Sequence, residues 1–258
     1  MTILDDIISV KKAEVKIIEN DIFQAYQGRP VQTFKEQIKN LSHMGIIAEI
    51  KRASPSKGII NEHVDPVKQA VLYEKSGVQA ISVLTDEQFF KGSIDDLIAV
   101  RRAVNLPILC KDFIIDEVQI DRAYAAGANI ILLIAAALDN ESLNRLNKHA
   151  LSYNLEVLFE VHDLNELDRV LPLNPSLLGI NNRNLKTFEV DLDTTNRLKT
   201  KINDENIILI SESGIETPED VKTLAKSGAQ SILIGETLMR SDDVSQTIKN
   251  LQIDLSTC

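Results

Sequence analysis

The sequence contains no tryptophan, and aromatic residues make up only 4% of its 258 positions. Cysteine is scarce too: Cys110 lies in an apolar run and Cys258 is the last residue. Two thiols so placed build neither a disulfide framework nor a zinc site, and they fit a reducing, cytoplasmic compartment. Cations are the minority, 28 Lys and Arg against 38 Asp and Glu, for a net charge of −10. That deficit argues against a nucleic-acid or anionic-membrane partner, which needs a net basic face. Long apolar runs are missing as well. The longest, 130–138, has nine residues, where a membrane span needs about 20. The opening MTILDDIISVKKAEV mixes Asp5 and Asp6 with Lys11 and Lys12, so it reads as an amphipathic helix and not as a signal peptide. His43 and His149 read as surface residues and His63 as part of a loop. His162 lines a mouth or begins a helix. No pair has metal-ligand spacing, and no metal is expected.

What remains is an aliphatic, soluble chain, 44% hydrophobic, too apolar for disorder. Three segments repeat one pattern: SGVQAISVL (76–84), AGANIILLI (126–134) and SGAQSILIG (227–235). In each, glycine suits a helix end, and the apolar run after it suits a strand covered on both faces. Gly77, Gly127 and Gly228 are 50 and 101 residues apart, about two and four βα units. Strands are expected at 46–50, 80–84, 107–111, 130–134, 156–160, 177–181, 207–211 and 231–235. Helix starts follow at Asp65-Pro66, Ser93 with Asp96, Asp116, Asp163 with Glu166, Thr217 with Asp220, and Ser241. Eight strands alternating with helices predict a (β/α)8 TIM barrel. The rival, an open doubly wound sheet, usually carries a Gly-rich loop after its first strand, and here KRASPSKG stands there. Residues 1–258 are expected to form one barrel domain, with 1–45 as an N-terminal helical extension.

Active sites of such barrels lie at the C-terminal strand ends. Those ends hold Glu49 and Lys51, Lys111, Glu160, Asn181 and Arg183, Glu212 and Ser213, and Glu236. Strand ends are polar wherever loops begin, but charges flush with apolar runs are costly unless paired or functional. Lys111 in this setting suits a general acid or a Schiff-base nucleophile. Glu160 suits a base or a hydroxyl-directed acid, and Glu49 a partner for a lysine or a hydroxyl; the residues alone leave these roles interchangeable. The glycine turns SESGI (211–215) and IGETL (234–238) follow strands seven and eight, where barrels often hold phosphate. KRASPSK (51–57) has three cations in seven residues and suits either a lid over an anion or a solvated loop.

The segments AEIKRASPSKG (48–58), ISVLTDEQFFKGS (81–93), CKDFIID (110–116), LFEVHDLNEL (158–167), GINNRNLKTFEVD (179–191), SESGI and LIGETLM (233–239) closely resemble the indole-3-glycerol phosphate synthase family. The opening ILDDIISVKKAEV does so too. The resemblance implies a cofactor-free carboxy-lyase of tryptophan biosynthesis, acting on 1-(2-carboxyphenylamino)-1-deoxyribulose 5-phosphate. Carried over residue by residue, it makes Lys111 the acid for ring closure. Lys51 and Glu160 become the second acid and base, with their division of labour open. Glu49 would orient the lysines. Asn181, Arg183 and Ser54 would hold the substrate carboxylate and hydroxyls, and Glu212 and Ser213 would complete the rim. Gly214, Gly235 and Glu236 would cradle the phosphate with Lys51. Phe89, Phe113, Leu132 and Leu233 would flank the anthranilate ring, or else be plain core. Glu236 stands where some relatives carry Ser, and Asp86 where many carry Glu. A small phosphorylated substrate and a monomer are expected, with no nucleic-acid or membrane partner. Competing readings are another phosphate-binding barrel, either phosphoribosylanthranilate isomerase or a Schiff-base aldolase, and a non-catalytic ligand-binding barrel. The isomerase would need a Cys/Asp pair where Lys51 and Glu160 stand.

Overall fold

The computed structural model describes residues 2–28 and 31–257; Cys258 lies outside them. The apolar runs form eight parallel strands: β1 (Gly45–Ile50), β2 (Ala80–Leu84), β3 (Ile108–Lys111), β4 (Ile130–Ile134), β5 (Glu156–Val161), β6 (Leu177–Asn181), β7 (Ile208–Glu212) and β8 (Ser231–Ile234). Each pairs with its sequence neighbours, and β8 closes on β1 with Ile234 opposite Ala48. The (β/α)8 barrel is therefore present, with every strand within one residue of the expected bounds.

The helices are α1 (Ile3–Ile18), α2 (Phe34–Lys39), α3 (Pro66–Lys75), α4 (Ile94–Ala103), α5 (Glu117–Ala126), α6 (Asn140–Ser152), α7 (Leu164–Val170), α8 (Asp193–Lys199), α9 (Pro218–Lys226), α10 (Glu236–Met239) and α11 (Val244–Leu251). Asp65, Ser93, Asp116, Asp163 and Thr217 each accept a backbone N–H at their helix start, as expected of N-caps. Ser241 does not. Asp243 caps α11 instead, because the short α10 occupies the chain directly after β8 and delays the next helix. Gly127 ends α5 at φ +95°, a left-handed conformation that costs glycine little. Gly77 and Gly228 take the same region after α3 and α9.

Two N-terminal helices close the barrel's two ends. Phe34 and Ile38 of α2 pack into the inner core with Ile47, Leu109, Ile130 and Leu177, and Glu156 at the start of β5 accepts from the Phe34 and Lys35 N–H groups at 2.7 and 3.0 Å. That plug sits at the N-terminal strand ends. At the opposite end, Ile3, Leu4 and Ile7 of α1 line the cavity above the C-terminal strand ends. The lid sequence forms a two-stranded hairpin, Ala53–Ser54 against Gly58–Ile59.

Candidate active site

The site follows from strand periodicity. Ile47, Leu109, Leu158, Leu177, Ile210 and Leu233 share the inner core. Side chains on one face of a strand recur every second residue. Two positions on, toward the C-terminal ends, the inward residues are therefore Glu49, Lys111, Glu160, Gly179, Glu212 and Gly235. One further step gives Lys51 and Asn181. A cavity of about 780 Å³ opens there, lined by the polar residues just named and by Phe113, Leu132 and Leu233.

Lys111 is the hub. Its Nζ donates to Glu212 Oε2 at 2.7 Å and to Glu160 Oε2 at 3.3 Å. Glu160 Oε1 accepts from Asn181 Nδ2 at 3.2 Å and lies 3.3 Å from His162 Nε2. Glu49 Oε1 pairs with Lys51 Nζ at 2.6 Å, so Glu49 holds Lys51 directly and acts on Lys111 through charge alone. The three glutamates are buried, whereas the Lys111 side chain keeps 14% of its surface open to the cavity.

Their protonation differs for physical reasons. Burial works to lower Lys111, but the charges of Glu212, Glu160 and Glu49 hold it above the usual lysine value. Burial works to raise Glu160, and the charges of Lys111 and His162 overcome it and hold Glu160 below the usual carboxylate range. Burial pushes Glu212 up to about 7, with Glu160 and Glu49 adding to the rise and Lys111 opposing it. Glu212 Oε1 is buried without a hydrogen-bond partner, which accounts for the difference between two acids on one lysine.

Past β7 the chain turns through Ser213 at φ +70° and Gly214 at φ +76°. The Asn182 amide braces this turn by donating to the carbonyls of Glu212 and Ser213 at 2.9 and 3.2 Å. A Cβ at Gly235 would stand 2.5 Å from Glu49 Oε1, so only glycine leaves room there. Glu236 lies at the rim, with its carboxylate 3.4 Å from Lys57 and 3.2 Å from Arg240. Arg183 also reaches the cavity, and its guanidinium donates to the Phe188 carbonyl at 3.2 Å. Ser54 and Lys57 join it from the lid hairpin. Of the residues expected at the site, all but Phe89 line this one cavity.

Three placements depart from the sequence reading. Phe90, and not Phe89, lines the cavity, with its ring 5.9 Å from that of Phe113. Arg52 leaves the lid's basic face to pair with Asp96 and donate to the Lys91 carbonyl. Lys11, which reads as part of the polar face of α1, is almost fully buried: its Nζ lies 2.9 Å from both Asp86 and Asp112. Asp86 in turn accepts from the Phe89 and Phe90 N–H groups, and Asp112 from the Phe113 N–H. The aromatic wall of the cavity thus rests on two aspartates that share one lysine. Only the spacing of Lys11, four residues after Ile7 and seven before Ile18, signals its inward face.

Comparison with known proteins agrees with this geometry. Residues 4–251 match the family model described as indole-3-glycerol phosphate synthase. The chain is 50% identical over 257 residues to an indole-3-glycerol phosphate synthase of Bacillus mycoides, covering 98% of this chain and 99% of that protein. It is 50% identical over 256 residues to one of Oceanobacillus iheyensis, covering 99% and 98%. Among solved structures it is similar to 3-hexulose-6-phosphate synthase, with a TM-score of 0.62 at 17% identity, covering 81% of this chain and 98% of that one. At that identity the likeness concerns the barrel alone. With one family model spanning nearly the whole chain and half of all positions shared with two of its members, this barrel belongs to the indole-3-glycerol phosphate synthase family.

Proposed function

We propose that the chain closes the indole ring of indole-3-glycerol phosphate. It takes 1-(2-carboxyphenylamino)-1-deoxyribulose 5-phosphate and releases CO2 and water, within tryptophan biosynthesis. The observation that carries this reading is Lys111, a cation clasped by two glutamates and open to the cavity. Lys111 protonates the ribulose carbonyl oxygen as the ring carbon attacks, and loss of CO2 restores aromaticity. Removal of the remaining hydroxyl needs a second acid and a base. Glu160, the carboxylate held ionised, is the base, and Lys51, steadied by Glu49, is the acid. Phe113, Leu132 and Leu233 take the anthranilate ring. Asn181, Arg183 and Ser54 take the carboxylate and hydroxyls, with Glu212 and Ser213 completing the rim. Lys51 and the backbone of Gly214, Gly235 and Glu236 take the phosphate. A lysine held protonated is a poor Schiff-base nucleophile, so borohydride with substrate should leave the protein mass unchanged. Residues 1–258 act as one unit. The protein acts as a monomer in the cytoplasm, where a chain with only two cysteines fits the reducing conditions.

The direct test mixes purified protein with the substrate and follows indole fluorescence; a folded protein that gives no signal overturns the reading. A second test uses Gly179 on β6, where a Cβ would stand 2.2 Å from Glu212 Oε1. Gly179→Ala should push Glu212 off Lys111 and lower kcat by about tenfold or more, since misplacement near 1 Å can cost about a hundredfold. Unchanged kinetics would remove Glu212 from the working set.

A further inference from the structure

We propose that His162 is an imidazolium throughout the working pH range, and that its charge decides which of the two acidic partners of Lys111 carries the site's proton. The inference rests on the roles given above to Lys111 and Glu160.

His162 follows Glu160 by two residues, one past the end of β5, and its ring lies behind Glu160 without lining the cavity. Only a tenth of its side chain is exposed. Its Nε2 lies 3.3 Å from Glu160 Oε1 and its Nδ1 lies 3.0 Å from Glu166 Oε2. A neutral imidazole has one N–H and one lone pair. A neutral ring would leave a lone pair beside one of two buried carboxylates, with Nδ1 hydrogen-bonded to Glu166 and Nε2 close to Glu160 but not aligned for a hydrogen bond. Only the cation presents a proton on both sides. Glu166 is fixed for this purpose: it skips the Asp163 N–H that a capping box would use and accepts from the His162 N–H at 2.7 Å.

The charged groups acting on the ring are Glu160 on β5 and Glu166 on α7. Beyond Glu160 stands Lys111 on β3, and β6 contributes the neutral Asn181. Burial works against the ring's charge, yet the two carboxylates raise His162 to about 10. The result is a line of alternating charge: Lys111, Glu160, His162, Glu166. Glu160 then has a cation or donor at each oxygen, while Glu212 has Lys111 at one oxygen and nothing at the other. A single proton shared by the two acids therefore resides on Glu212 and leaves Glu160 free to accept one. His162 touches no reacting atom and is a positioning residue.

The chain has four histidines, so the ring signals of nitrogen-15-labelled protein are few, and His162→Asn assigns them. Both His162 nitrogens should be protonated at pH 7.5. A neutral ring there overturns the proposal. In His162→Asn, loss of the charge should raise the pair's protonation and move the acid limb of kcat/KM up by about one pH unit. A folded, active variant with an unmoved limb overturns it as well. Should that variant not fold, Glu166→Gln should bring the ring's titration down by about one unit, and an unshifted ring counts against the proposal. Wild-type protein without turnover would instead strike the proposed reaction, because the ring's charge is read without it.

Discussion

Replacing Lys111 with methionine should cut turnover by at least about a thousandfold while the barrel stays folded. The loss follows from position. Lys111 is the cation that opens into the cavity from between two glutamates, and methionine can supply neither the proton nor the charge. Survival of the fold follows from the neighbouring acids. Glu212 already sits near 7, so with Lys111 gone it keeps its proton and buries no charge. Glu160 still faces His162 and Asn181. Steady-state fluorescence kinetics and circular dichroism check the two halves together. Retained activity would contradict the role given to Lys111, and an unfolded variant would contradict the account of Glu212.

Lys11→Met should behave in the opposite way, with a large loss of stability. Lys11 is 1% exposed, Asp86 0% and Asp112 4%, with both ion pairs at 2.9 Å. Here two buried aspartates share a single lysine. Removing one partner of a buried ion pair strands charge and costs about 3–5 kcal/mol, against a total stability of about 5–15 kcal/mol. For a chain of this size the thermal midpoint should fall by about 10 °C. Adding Asp86→Asn should recover part of the loss, because the amide oxygen still accepts from Phe89 and Phe90. A midpoint within a degree of wild type would overturn the account. The two lysines differ in what surrounds them. In the proposed reaction Lys111 supplies the proton, whereas Lys11 holds α1 to the mouth.

The barrel was legible because its strands are buried on both faces and most helix starts, α8 and α10 excepted, carry a capping side chain. The mouth was legible because strand ends follow a period of two. Contacts between elements distant in sequence were not. Lys11 reads as solvated because an amphipathic pattern counts polar residues without asking whether a partner waits across the interface. Arg52 reads as part of a basic lid because Asp96 lies 44 residues away. His162 reads as helping to begin α7, and it lies just ahead of the Asp163 cap with its N–H donating to Glu166, but nothing local shows that its ring backs onto Glu160. Phe89 and Phe90 are adjacent, and only the turn held by Asp86 decides which one faces the cavity.

The placement of α1 has a practical consequence for handling the protein. Ile3 and Leu4 line the cavity mouth, so a fusion partner or purification tag joined ahead of them sits where substrate must enter. The other end of the described chain is anchored far from that mouth. The Leu255 N–H donates to the Ser42 carbonyl at 2.9 Å, and His43 bridges Asp254, both just before β1 begins at the barrel floor. A tag joined after this anchor leaves the entrance clear. Paired fusions at the two ends should therefore differ in KM, with the N-terminal one higher.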